Sequence, residues 1–299
     1  MLKAYISLVM AMMIVGSSVV AGKIMVDGMP VFLSSAMRFL LSSVVMLPVL
    51  FFKEGGMPRL SRFSWGILFL QAFCGSFLFT VCLLYGLKYI SPASAGIITS
   101  TTPAFMGVIG WCFFREKISV LIIAGISLSI IGIMILNTGG SSGYSQGSLT
   151  GFLLMFGAVA AESLFLVLRK RITEPLSPLA ATTIISIFGF LWFFPSGLYE
   201  FYTTDLSAVS KTSWCAVLYY GLVVTVLAYL FWFYGVVRVQ ASIAGVFTGI
   251  MPIAAVSLSA IILGEKIYWN HYAGCALVLC SILLTSGIHV FFINSLKLE

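Results

Sequence analysis

Gly86–Gly132 reads GLKYISPASAGIITSTTPAFMGVIGWCFFREKISVLIIAGISLSIIG, and Gly235–Ser281 reads GVVRVQASIAGVFTGIMPIAAVSLSAIILGEKIYWNHYAGCALVLCS. The two align without a gap at a constant offset of 149 residues. Gly86 meets Gly235, Ala95-Gly96 meets Ala244-Gly245, Thr99 meets Thr248 and Pro103 meets Pro252. Further on, Glu116-Lys117-Ile118 meets Glu265-Lys266-Ile267, and Ala124-Gly125 meets Ala273-Gly274. Apolar sequences use few residue types and match by chance. A charged Glu-Lys-Ile and a proline in the same register make chance a poor explanation. The chain is read as a duplication, with halves at 1–140 and 147–299 on either side of the linker-like Asn137–Gly143.

Composition says what is duplicated. Of 299 residues, 61% are hydrophobic and 8% charged, against about 45–50% and about 25% in soluble domains. Too little polar surface is left to cover a water-soluble fold. That excludes a soluble enzyme, a disordered chain and a nucleic-acid-binding module. Apolar runs near 4–25, 30–52, 63–84, 91–114, 118–136, 148–168, 179–199, 213–234, 242–263 and 269–292 each approach the roughly 20 residues a spanning helix needs. They are apolar throughout rather than alternating, which excludes a membrane β-barrel. The expectation is an all-α integral membrane protein with ten transmembrane helices. The first run begins after Lys3 but is longer than a signal-peptide core and lacks a clean cleavage site, so it is read as a span.

Five spans separate each element from its copy. Five is odd, so the two five-helix repeats are expected to insert with opposite orientations, an arrangement behind many secondary transporters. Glu116 and Glu265 then lie on opposite membrane faces. Placing the N-terminus inside puts Lys3, Lys53, Arg59, Arg62, Arg115, Lys117, Arg169, Lys170, Arg171, Arg238 and Lys297 on the inner side. The outer side keeps Lys23, Lys88, Lys211 and Lys266. This bias predicts both termini in the cytoplasm of a cell inner (plasma) membrane. The net charge of +7 needs no acidic partner beyond it.

The halves resemble the drug/metabolite transporter superfamily, EamA branch. The resembling residues are Gly16-Ser17-Ser18 with Lys23, Arg38-Phe39, Gly86-Leu87-Lys88-Tyr89, and the Pro103 and Pro252 segments followed by Glu116 and Glu265. The resemblance covers essentially the whole chain. It implies alternating-access transport of a small organic solute, with export of amino acids or related metabolites as first choice. Its alternatives are cationic drug efflux, or metabolite uptake or exchange. The family often carries tryptophans where Val15 and Glu162 stand here, both at cavity-lining places by the resemblance.

Several polar residues are candidates for substrate or coupling contacts. Pro103 and Pro252 free the carbonyls of Thr99 and Thr248 and bend their helices. Those carbonyls either find local partners or face a substrate; the kinks could equally serve close packing at Ala95-Gly96 and Ala244-Gly245. Glu162 lies within the sixth span. A carboxyl there is expensive to bury charged, and burial favours its protonated form, which suits a proton carrier. It is read as a site for a coupling proton or a substrate amine, with pairing to a basic residue or snorkelling as the structural alternative. Arg38 is the other intramembrane charge, read as an anion contact or a structural and gating residue. Ser17, Gln71, Ser76 and Tyr229 are further candidate lining, with Thr80 and Thr225 on the related third and eighth spans. Lys23 is expected to snorkel.

The six cysteines form no CxxC pair and read as packing residues. His271 and His289 lack ligand partners at helical spacing, so no metal is expected. No phosphate-binding loop is present, which excludes ATP hydrolysis by this chain. No cofactor is expected, and the partners are the solute, the lipid bilayer and, as candidate coupling ion, the proton. A membrane enzyme, a lipid flippase and a channel are weaker rivals. Monomer and homodimer stay equally open.

Overall fold

A computed structural model describes residues 2–102, 104–105, 120–138, 148–169, 171–172, 174–236, 238–239 and 247–285. Pro103, Trp111, Cys112, Glu116, His289 and the Asn137–Gly143 linker beyond Thr138 lie outside the described residues. Among the described residues there is no strand. The helical segments are α1 (Leu2–Gly28), α2 (Val31–Glu54), α3 (Arg62–Gly86), α4 (Pro92–Thr99) and α5 (Val120–Thr138) in the first half. The second half has α6 (Leu149–Arg169), α7 (Pro178–Thr203), α8 (211–236), α9 (Ile250–Leu263) and α10 (Trp269–Thr285). Leu2–Gly28, Val31–Glu54, Arg62–Gly86, Pro178–Thr203 and Lys211–Trp232 are long and apolar enough to cross a membrane.

Local sequence explains where these helices start and stop. Ser91-Pro92 and Ser177-Pro178 open α4 and α7 in the same way: the serine side chain accepts the N–H of Ser94 or Ala180, and proline occupies the first turn, where its missing N–H costs nothing. Ser61 and Ser210 cap α3 and α8 by the same bond. Gly55 and Gly264 close α2 and α9 at positive φ of 76° and 65°, a conformation that a side chain would strain.

The halves pack against each other as antiparallel pairs. α2 lies along α7, and α5 along α10. Near the end of α2, Glu54 accepts a hydrogen bond from Ser177 at the start of α7 (2.7 Å). Near the end of α7, Glu200 accepts from the Leu33 N–H at the start of α2 (2.7 Å). Each carboxylate thus sits at the positive end of the partner helix. Ser129 of α5 meets Ser281 of α10 at 2.7 Å. Small residues allow the closest approaches: a Cβ on Gly96 would stand 2.2 Å from the Ala255 Cβ, and one on Gly16 would stand 2.6 Å from the Met251 carbonyl oxygen.

The principal core joins α1, the end of α3, α4, α6 and α8, through Val19, Met25, Leu84, Ile98, Met155 and Tyr220. Apolar side chains also cover the outside. Phe52 is 91% exposed and Ile261 78%, which suits hydrocarbon and not water. Tyr202, Trp269 and Tyr272 are exposed near helix ends, as in an interfacial aromatic belt.

Candidate functional site

Two breaks in helical regularity mark the middle of the protein, and each occurs in both halves. In the first, α4 ends at Thr99, the chain turns at Ser100 and Thr101, and helix resumes at Thr102. In the second, Thr248 and Gly249 form a turn before α9. A proline follows each break within three residues, Pro103 and Pro252. Discontinuous helices of this kind expose backbone polar groups where transporters bind their cargo. The second irregularity is a π segment, Phe73–Leu78 in α3 and Tyr220–Leu227 in α8, at corresponding places under the 149-residue offset. The Thr225 hydroxyl bonds back to the Tyr220 carbonyl at 2.9 Å, five residues away. Such bulges add a residue to a turn and re-aim the side chains around it, frequently at functional sites.

Arg38 lies where the two π segments approach α2, only 5% exposed. Its Nη2 donates to the Thr80 hydroxyl of α3 (2.5 Å) and its Nη1 to the Thr225 hydroxyl of α8 (3.4 Å). Its guanidinium carbon sits 4.2 Å from the Phe39 ring centroid and 4.3 Å from that of Tyr220, within cation–π range. One cation therefore ties together both halves. This arrangement favours the structural reading of Arg38, although its Nε is buried without a partner among the described residues.

Glu162 of α6 is half-buried and accepts a hydrogen bond from the Thr102 hydroxyl at 2.6 Å. The pairing with a basic residue weighed from sequence does not occur among the described residues: Glu162 makes no ion pair there, with Arg38 or any other cation. Next to it, the Ser163 hydroxyl reaches the Thr102 carbonyl at 3.4 Å. One turn on, the Phe165 carbonyl accepts from Gln71 Nε2 of α3 at 2.9 Å. Tyr229 of α8 packs against Ala72, Phe165 and Ile185. It lies within electrostatic range of Arg38, Glu162 and Tyr220.

The remaining candidates divide. Thr99 and Ser76 are buried beside this region, in the broken helix and the α3 bulge. Ser17 of α1 instead pairs with the Tyr219 hydroxyl of α8 at 2.6 Å. Pro252 and Thr248 belong to the α1–α9 contact, where Met251 packs on Ala11 and Met12 in an apolar cluster that includes Val15 and Phe247. Lys23 forms an ion pair with Asp27 at 3.0 Å. From sequence, Thr102 stands out only as part of the stretch Thr99–Thr102 that could satisfy the carbonyl freed by Pro103. In a run of four hydroxyl residues, Thr99–Thr102, nothing local sets it apart until α6 is laid opposite.

The family model described as the EamA-like transporter family matches the chain twice, over residues 2–138 and 149–287. An uncharacterized transporter, YetK, of Bacillus subtilis is 44% identical over 284 residues, 94% of this chain and 86% of that protein. A probable amino-acid metabolite efflux pump of Salmonella typhimurium is 25% identical over 89% of each chain. A solved crystal structure at 17% identity superposes with a TM-score of 0.64 over 93% of this chain and 98% of the other, a likeness of fold alone.

Proposed function

The chain belongs to the EamA-like transporter family, and from that premise we propose that it exports a small organic solute in exchange for protons, by alternating access of two inverted repeats. It is a multi-pass membrane transporter and not an enzyme. The finer reading is ten spans, in repeats 1–140 and 147–299, in the inner membrane with both termini cytoplasmic. The solute is an amino acid or a related metabolite; the name of the Salmonella relative supports that class.

One observation carries the coupling. Glu162 sits in an apolar helix with a hydroxyl partner on a broken helix and no cation to fix its charge among the described residues. Such a carboxyl exchanges its proton more readily than one locked in an ion pair. The broken helices, Gln71, Ser76 and Tyr229 supply the surrounding polar lining. Arg38 holds α2, α3 and α8 together at its edge.

The test begins with a thermal-shift screen of amino acids and amines on purified protein, followed by counterflow in liposomes with each hit. Wild-type protein accumulates the solute against its gradient when a pH gradient is imposed. Glu162→Gln abolishes that pH-driven flux. Normal coupled transport by this variant would sink the proposal.

A further inference from the structure

The Thr102 hydroxyl has two acceptors and one proton. Its oxygen lies 2.6 Å from Glu162 Oε2 and 2.8 Å from the Thr99 carbonyl oxygen. The Thr99 carbonyl is the one that an ordinary helix would satisfy with the N–H of residue 103. Residue 103 is proline and has none. We propose that Thr102 is a positioning residue that transmits the protonation state of Glu162 to the proline-bent turn of the broken helix. When Glu162 is ionised, the Thr102 hydroxyl donates to its carboxylate and the Thr99 carbonyl loses that donor. When Glu162 takes up a proton, its own O–H donates to Thr102 Oγ1. The Thr102 proton then turns to the Thr99 carbonyl and closes the turn. Proton binding in α6 thus changes the backbone bonding of the segment after α4.

The second half has the same frame without the switch. The two family matches begin at residues 2 and 149, which sets Val15 opposite Glu162 and Gly16 opposite Ser163. Contacts confirm the register: Gly16 abuts the Met251 carbonyl, as Ser163 reaches that of Thr102. Met251 holds the Thr102 position and packs with Val15 in an apolar cluster. The Thr248 carbonyl, freed by Pro252, accepts the Met251 backbone N–H at 3.1 Å. Met251, unlike Thr102, has no side-chain proton to offer it. Protonation therefore biases one repeat only, and two otherwise matched halves become unequal in response to pH. That inequality is what lets a proton gradient drive a symmetric frame in one direction.

Among the described residues, the groups facing Glu162 are few. α4 carries no ionisable residue. α3 presents Cys82, whose sulfur would lie 3.1 Å from a Cβ on Gly157 of α6. From α8, Tyr229 lies in electrostatic range of Glu162, as it does of Arg38 and Tyr220.

The proposal rests on Glu162 as the proton site, and two readouts in lipid nanodiscs separate the two ideas. Infrared spectroscopy follows the carboxyl band that Glu162→Gln removes. Hydrogen exchange by mass spectrometry follows peptides covering residues 92–105, corrected for intrinsic rates. Between about pH 5 and about pH 9, wild-type exchange there is expected to rise about two- to tenfold, the factor of one ordinary hydrogen bond. Glu162→Gln holds it at the acid value throughout. Thr102→Val abolishes the pH dependence and Thr102→Ser retains it. Wild-type pH dependence in Thr102→Val, with the carboxyl band still titrating, overturns the Thr102 coupling and leaves the proton site standing. A carboxyl band that does not titrate overturns both.

Discussion

Arg38 is a cation that this fold has taken into its interior without a carboxylate paired to it among the described residues. Two threonine hydroxyls and two aromatic faces replace water around it. Hydroxyls are weak substitutes for a counter-ion, so each bond matters. The shorter one, to Thr80, is charge-assisted and belongs to the stronger class. Side-chain hydrogen bonds within membrane proteins contribute about 0.6 kcal/mol on average and about 1.7 at most. Thr80→Val should therefore destabilise the purified protein by about 1–1.7 kcal/mol, read from unfolding in detergent. Thr225→Val removes a longer contact with Arg38, 3.4 Å, together with the 2.9 Å bond to the Tyr220 carbonyl, and should cost a similar amount. Equal and negligible effects would mean that the rings alone hold the guanidinium. Sequence revealed that Arg38 and Glu162 were the charges left inside, because a charge in an apolar run needs no structure to be conspicuous. It could not reveal that they would not pair. That depends on the partners each takes instead, Thr80 and Thr225 for Arg38 and Thr102 for Glu162, which come from helices distant in the chain.

At the scale of elements, helix starts are tied to loops from distant parts of the chain. Ser61 caps α3, and Glu174, in the connection between α6 and α7, accepts from the Ser61 hydroxyl at 2.6 Å, the Ser61 N–H at 3.2 Å and the Ser64 hydroxyl. The bonds from Ser61 and then Ser64 hold its carboxyl at about 2, against 4.5 for an ordinary glutamate. A depressed carboxyl stabilises the folded form above its ordinary value, and that contribution disappears as pH falls through the folded one. The difference in Tm between wild type and Glu174→Gln should be constant near neutral pH. It should shrink below about 4.5 and vanish near about 2. Because Glu174 is partly exposed, the difference is expected to be small throughout. A difference that persists at about pH 2 would mean that the glutamate acts through packing and not charge. The helices themselves were largely legible. The runs read at 30–52 and 179–199 became Val31–Glu54 and Pro178–Thr203, because apolar length and Ser-Pro starts are local signals. The π segments were not, since one added residue per turn leaves no mark on hydropathy.

Across the whole molecule, contacts between distant connections sort into two ends. At one end Glu54 meets Ser177 and Ser61 meets Glu174. At the other, Leu33 meets Glu200, Ala93 meets Glu265, and Gly28 abuts Ser213. Every pair joins segments that an alternating ten-span path would put on the same side. These pairings are the ones that the proposed ten-span path requires. The first end also carries Lys53, Arg59, Arg62 and Arg171, and positive charge resists passage across the membrane during insertion. It is expected to face the cytoplasm. Arg59 and Asp205 are both exposed, at opposite ends. In a background with the native cysteines replaced, a membrane-impermeant maleimide applied to intact cells should label Asp205→Cys. It should reach Arg59→Cys only after permeabilisation. The reverse pattern would turn the molecule over and make uptake the natural direction for the same proton gradient. Labelling of both from outside would break the alternation itself, and with it the inverted relation of the two repeats on which a one-sided proton switch depends.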